Sequence, residues 1–235
     1  MTDSRKNTGC LICGEGLIYQ EHTRTLSCFY CGKEFEALAV CRNGHYVCDR
    51  CHQSEAMDLI EKYCVNSKLT DPVKMANLLM RNPAVTMHGP EHHFLIPAVL
   101  LCCYYNLTGK TDLKKKKIRY ARARAEHVPG GFCGSHGNCG AAVGTGIFVS
   151  LVTGATPLSG IEWQWSNLMT SRALEEIALH GGPRCCKRNT FLAIGAAAGY
   201  VREILDVNIS VPEKIKCSYS DRNRECLKKE CPFYA

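Results

Sequence analysis

No stretch of this chain reaches the roughly 18 consecutive apolar residues that a bilayer-crossing helix needs. Residues 94–105 are too few, and residues 141–152 are threaded with Gly, Thr and Ser. A membrane-spanning helix is therefore not expected. The opening Met1 to Thr8 is polar and leads into no apolar run of a secretory signal, so a reducing cytoplasm is the expected location. A nucleotide loop is also lacking. The glycine-rich run from Gly130 to Gly140 lacks the Gly-Lys-Ser/Thr ending of a P-loop, and Gly144-Thr-Gly146 does not continue as a phosphate-cradling run after a strand. Charge is absent in a further sense. The formal excess of +7 sits almost wholly in residues 110–124, where Lys110, Lys114, Lys115, Lys116, Lys117, Arg119, Arg122 and Arg124 face only Asp112, so the remainder is neutral.

What the chain has in excess is cysteine, 17 in 235 residues. The number is odd, so disulfides cannot pair them all, and in a reducing compartment such density reads as metal ligation first and thiol chemistry second. Cys10-Leu-Ile-Cys13-Gly14 and Cys28-Phe-Tyr-Cys31-Gly32 are matching knuckles, each able to grip one cation while its glycine permits the turn. Cys41, His45, Cys48 and Cys51 then supply four further ligands within 11 residues. Two tetrahedral zinc sites follow. Sequential pairing gives a ribbon and then a compact knuckle. Interleaved pairing joins Cys10, Cys13, Cys41 and His45 in one site and Cys28, Cys31, Cys48 and Cys51 in the other. Both remain open, and the double knuckle also admits iron in the first site. A segment with so little core must draw its folding energy from the metal.

The expected architecture is mainly α. A zinc-ribbon or treble-clef-like module over residues 1–53, with short strands at 16–19 and 35–40, precedes a helical domain over 54–210 and a Cys-rich tail over 211–235. Ser54 reads as the cap of a helix to Ser67 and Asp71-Pro72 as the start of one to Arg81. Ser159 and Glu162 have capping-box spacing before a helix to His180 whose apolar residues fall on both sides, which makes it central, with Trp163 and Trp165 in the core. The basic helix has Leu113, Ile118, Ala121, Ala125 and Val128 as its apolar stripe. A last helix carries Phe191, Ile194, Ala198, Val201 and Leu205 at clean helical spacing. Cys64 and the pair Cys102-Cys103 read as core.

Three segments of the helical domain and tail carry chemistry. His88-Gly-Pro-Glu91-His92-His93 opens a helix with three imidazoles suited to proton transfer or a metal, and Glu91 could orient one of them. Cys133, His136 and Cys139 lie in a glycine-rich loop before another helix start, a composition better explained by a metal or iron-sulfur cluster than by packing. Cys185 and Cys186 stand at a helix N-terminus among Arg184, Lys187 and Arg188, which favours thiolate. Cys217, Cys226 and Cys231-Pro232 end the chain as three ligands in need of a fourth, although their spacing matches neither ferredoxin run.

Through these segments the chain resembles an uncharacterised cysteine-rich family, a domain of unknown function, of anaerobic archaea and bacteria. The resemblance rests on the paired N-terminal knuckles, His88 to His93, Gly131 to Ala141 and Gly181 to Arg188. It implies a habitat suited to oxygen-sensitive iron-sulfur chemistry and implies no activity. The radical-SAM C-x3-C-x2-C is missing, since His45 stands where its middle cysteine would be. Three functions compete. The first is an iron-sulfur or other metal-dependent enzyme or redox protein, for sulfur transfer, desulfuration or electron transfer. In it Cys133, Cys139, Cys185, Cys186, Cys217, Cys226 and Cys231 supply ligands, while His88, Glu91, His92, His93 and His136, with Cys185 or Cys186, act on a small-molecule substrate or a partner redox or metalloenzyme. The second is a module that binds nucleic acid or a partner through the basic helix. The third is a carrier of metal or sulfur.

Overall fold

The computed structural model describes residues 10–48, 51 and 55–235. Two antiparallel strands, β1 (Leu17–Ser27) and β2 (Glu34–Cys41), form a ribbon that pairs Leu17 with Cys41 and Ser27 with Glu34, with an irregularity between Tyr19 and Arg24. The strands extend beyond the two short runs expected, because most of their residues face solvent and cross-strand bonding rather than an apolar alternation defines them.

Helices follow: α1 (Ala56–Asn66), α2 (Pro72–Arg81), α3 (Glu91–Leu107), α4 (Thr111–Ala125), the single turn α5 (Phe132–Ser135), α6 (Gly140–Thr153), α7 (Ile161–Leu179) and α8 (Cys186–Leu205). The expected cap Ser54 lies outside the described residues. At α2 the carboxylate of Asp71 accepts from the Lys74 backbone N–H at 2.8 Å, and Pro72 fills the first position, as the pattern requires. The tail beyond Asp206 contains only two 3-10 turns, Ser220–Arg222 and Lys228–Glu230.

The centre of the bundle is α3. It is apolar all round and buries residues on every face from Glu91 to Tyr105, packed among α1, α2, α4, α6 and α8. Cys64, Cys102 and Cys103 are wholly buried here. Helix α7, expected to be central, is instead peripheral: it buries only Met169, Ala173 and Ile177, and Trp163 is 51% exposed. The Ser159 capping box does not form either. The hydroxyl of Ser159 accepts from the Thr156 backbone N–H at 3.0 Å in the preceding turn, so Gly160 caps α7 without a side-chain bond. In α4 the inward face is Lys114, Ile118, Ala121 and Ala125, whereas Leu113 points outward. Lys114 tolerates this position because its ammonium donates to Ser67 O at 2.7 Å and Asn106 Oδ1 at 2.9 Å while its stem covers apolar surface.

Glycine sets how closely α3 and α6 approach. A Cβ on Gly144 would stand 2.9 Å from Pro97 Cδ and 3.0 Å from the carbonyl oxygen of His93, and the latter is helix backbone that cannot swing away. Gly195 in α8 has open space around it. The two positions therefore respond oppositely to alanine. Gly195→Ala gains helix propensity of about 0.5–1 kcal/mol, while Gly144→Ala loses about 1–3 kcal/mol to overpacking, which exceeds that gain. Thermal unfolding followed by circular dichroism should show a higher midpoint for the first variant and a lower one for the second.

Candidate metal centres

The register of the ribbon chooses between the two pairings. Leu17 opposite Cys41, with Arg42 N–H donating to Gly16 O at 3.1 Å, lays the end of β2 beside the first knuckle. The returning chain then bonds to the second knuckle, Phe29 N–H to Tyr46 O at 2.8 Å and Cys48 N–H to Cys28 Sγ at 3.4 Å. The donors are consequently cross-braced. Cys10, Cys13, Cys41 and His45 form one group and Cys28, Cys31, Cys48 and Cys51 the other, all ligand atoms of each lying within 4.8 Å of one another. Either tetrad could hold a metal ion.

Distances within the tetrads suit a single ion. Cys13 Sγ is 3.5 Å from Cys41 Sγ, Cys10 Sγ is 3.8 Å from His45 Nδ1, and Cys31 Sγ is 4.0 Å from Cys48 Sγ. A tetrahedron with metal–sulfur bonds of about 2.3 Å has edges of about 3.8 Å. Four donors in so small a space divide their charge unequally. Burial pushes the Cys10 thiol up to about 11. At Cys13 burial also acts upward, but the Glu15 backbone N–H, Cys41, His45 and Asn43 outweigh it and hold that thiol down to about 6. The rubredoxin-like arrangement with both knuckles on one ion does not form, because Cys10 and Cys13 belong to one tetrad and Cys28 and Cys31 to the other.

One local device recurs at these sulfurs. The backbone N–H two residues on donates to the thiol, Ile12 to Cys10 at 3.4 Å and Asn43 to Cys41 at 3.3 Å. The same turn appears at the far end of the chain, Tyr219 to Cys217 at 3.3 Å and Lys228 to Cys226 at 3.4 Å. Cys185 accepts from the Arg188 N–H at 3.4 Å and from the Asn223 side-chain amide at 3.6 Å. These three cysteines and Cys231 line one cleft, closed by Met87, Phe191, Leu227 and Phe233. The tail is held in place by Cys217 N–H donating to Phe233 O at 2.7 Å, by Phe233 edge-on to Phe191 at 5.3 Å, and by the Tyr219 hydroxyl on Asn77 at 3.2 Å.

Cys186, although adjacent in sequence, belongs elsewhere. It does not line that cleft, and Cys139 and Cys133 are among the charges that raise its pKa. The expectation that the helix start and its cations would favour thiolate at Cys185 and Cys186 does not hold. Burial raises both, Cys186 to about 11, and at Cys185 it outweighs the downward pull of the Arg188 N–H and charge. Lys187 is itself fully buried and donates to Thr86 O at 2.7 Å, Val85 O at 3.3 Å and His92 Nε2 at 3.2 Å. Burial pulls it down to about 8, against the upward pull of Glu91. Arg188 donates to the carbonyls of His180, Gly181 and Pro183.

The histidines have distinct surroundings. His92 donates through Nδ1 to Gly89 O at 3.1 Å and accepts from Lys187 at Nε2, so both nitrogens are engaged within the core; burial and the Lys187 charge hold its pKa well below the usual value. It braces the loop. Glu91 stands 3.6 Å from His92 Nδ1 and accepts from the Thr86 hydroxyl at 2.6 Å. His88 Nε2 faces Asn223 Oδ1 at 3.2 Å and Glu225 Oε2 at 3.4 Å, one residue behind Cys185. His93 donates through Nδ1 to Val128 O at 3.0 Å. His136 is exposed and stacks on Phe132. Asn189 and Asn223, both within this hydrogen-bonded shell, were not singled out by sequence reasoning; only their proximity in sequence to the cysteines could have marked them.

The basic helix is largely committed inward. Lys114 bonds Ser67 and Asn106, Lys117 donates to Leu151 O, Arg119 pairs with Glu61, Arg122 with Asp58, Glu61 and Glu126, and Arg124 donates to Ser150. Lys110, Lys115 and Lys116 are exposed.

Cross-bracing gives a direct test. Cys10→Ser and Cys41→Ser should each remove the same single equivalent of bound metal and leave the Cys28 site loaded, as measured by native mass spectrometry. Loss of metal from the Cys28 site in Cys10→Ser with the Cys41 site intact would indicate sequential pairing instead.

No curated protein and no solved structure matches the chain. No helix among the described residues is long and apolar enough to cross a membrane. The cross-braced module lies outside the residues that a family model matches, while the helical bundle and all seven cysteines of its loops and tail from Cys133 to Cys231 lie within them. Over residues 60–234 the chain belongs to DUF5714, a family of unknown function.

Proposed function

We propose that this protein is an iron-sulfur redox protein whose electron-carrying centre is bound by Cys185, Cys217, Cys226 and Cys231, with zinc in the two N-terminal tetrads. The observation that carries this reading is the convergence of four thiols on one apolar-walled cleft, three of them already accepting backbone N–H bonds. Donated N–H groups stabilise negative charge on sulfur, and hydrogen bonding to sulfur is one of the means by which a protein sets a cluster's potential.

The spacing of these thiols does not match that of a single tetrahedral ion. Among the described residues, no three of these thiols come within the mutual 4.8 Å that both N-terminal tetrads satisfy. A single tetrahedral ion would require edges of about 3.8 Å. A cluster places each thiolate on its own iron and so sets the sulfurs farther apart. When bound, such a group supplies reversible one-electron transfer. Four protein thiols leave no coordination position for a substrate, which suits electron transfer better than Lewis-acid catalysis at this site.

The chain's own residues have definite parts. Asn223 donates to Cys185 and is positioned by His88, so this pair orients a donor toward the ligand sulfur. Phe191 and Phe233 keep water from one side of the cleft. Cys217, Cys226 and Cys231 are half-buried, close enough to the surface for exchange with a partner. The tail from residue 206 onward has little regular structure. A segment with so small a core gains its order from what its sulfurs bind.

Purification without oxygen should give a brown protein with equal iron and acid-labile sulfide and an electron paramagnetic resonance signal on reduction. Cys217→Ser and Cys231→Ser should each abolish that signal, lower the iron content and expose the tail to protease. A colourless wild-type protein containing zinc alone would overturn the proposal.

A further inference from the structure

Three helix starts meet on the other side of Cys185. The ring of His93, in the first turn of α3, lies against Gly140 at the start of α6. A Cβ there would stand 2.2 Å from His93 Cδ2 and 2.4 Å from Nε2, so only glycine fits. Cys139 is the residue immediately before Gly140 and caps α6. Asn189, in the first turn of α8, donates its side-chain amide to Cys139 Sγ at 3.4 Å and its backbone N–H to Cys185 O at 2.9 Å. Cys186 holds the first position of α8, one turn before Asn189. The loop carrying Cys133 folds back toward Cys139, since the Asn138 N–H donates to Phe132 O at 3.5 Å, and the Cys133 charge acts on Cys186. The loop carrying it is exposed from Gly134 to Gly137.

The imidazole of His93 has the protonation pattern of a metal ligand. Its Nδ1–H donates to Val128 O at 3.0 Å, which leaves the lone pair on Nε2, the atom turned toward the Cys139–Gly140 turn. A backbone carbonyl on the far nitrogen is the usual way a protein fixes the tautomer and aim of a ligating histidine. Asn138 Oδ1, next to Cys139, is buried without a hydrogen-bond partner.

We infer that Cys133, Cys139 and Cys186 bind a second iron-sulfur centre, with His93 Nε2 facing its fourth position. Here too no three of the donors lie mutually within 4.8 Å among the described residues, so the site is wider than a single tetrahedral ion requires. The inference rests on the iron-sulfur reading of the tail and extends it. The peptide bond between Cys185 and Cys186 places a ligand of each centre on adjacent residues. The tail centre is closed by four thiols, whereas this one has three and opens toward an exposed loop. Its labile side is the one a small, sulfur- or nitrogen-bearing ligand could reach by displacing His93.

Anaerobically purified full-length protein distinguishes the two centres. Cys139→Ser and Cys186→Ser should each lose about half of the iron and one of two reduced resonance signals. Cys226→Ser should lose the complementary half and the other signal. His93→Cys should keep the iron while lowering the midpoint potential of the Cys139-dependent signal, because an imidazole ligand raises a cluster's potential relative to thiolate. If Cys139→Ser retains wild-type iron while Cys226→Ser loses all of it, this inference fails and the tail proposal stands. If Cys226→Ser changes nothing while Cys139→Ser loses the iron, the tail proposal fails and this centre remains. A Cys139-dependent signal indifferent to His93→Cys would remove His93 from the site.

Discussion

A sulfur that carries negative charge inside a protein must be met by donors, and this chain supplies them from its backbone. The turn in which residue i+2 directs its N–H at the thiol of residue i occurs at Cys10 and Cys41 near the start and at Cys217 and Cys226 near the end. It requires no regular secondary structure and no side chain other than the cysteine. That is why it can operate in a ribbon module and in an irregular tail alike. A charge-assisted hydrogen bond contributes about 1.5–3 kcal/mol. A handful of them weighs heavily in segments with little hydrophobic core.

The helical bundle contributes position. α3 is buried on all sides and can start only where its neighbours allow, so residues 85–93 are fixed against α8. Lys187 makes that junction rigid by placing a buried cation among the carbonyls of Val85 and Thr86 and the ring of His92. Removing one partner from such a buried charged network costs about 3–5 kcal/mol. Arg188 acts likewise on the carbonyls that end α7. Between them, the first turn of α8 is held from both sides, and its two adjacent cysteines face different thiol groups.

How much of this was legible in the sequence depended on whether the signal was local. Knuckles, the proline and aspartate opening α2 and the apolar stripe of α8 are written in contiguous residues, and the structure contains them. The two zinc pairings could not be separated, because the choice is made by the strand register that sets Leu17 against Cys41. Trp163 misled for a similar reason: its helix is apolar on two sides, but only one side meets α6 and α8. The cations around Cys185 and Cys186 misled more deeply. Sequence shows that Lys187 and Arg188 are nearby, but only the fold shows that they turn inward to carbonyls, leaving burial to dominate the thiols.

The basic helix shows the same principle from the opposite direction. A net charge of +7 concentrated in residues 110–124 suggested an external polyanion. Five of its eight cations reach carbonyls, hydroxyls or carboxylates of α1, α6 and the loop after α1, while Lys110, Lys115 and Lys116 are exposed. Those contacts fasten α4 to α1 and α6. Charge density measured along the sequence therefore overstates the charge offered to a partner whenever long side chains can reach back over the surface that bears them. Sulfur behaves differently here. Each short cysteine side chain stays where its turn places it, so the backbone alone determines which thiols meet.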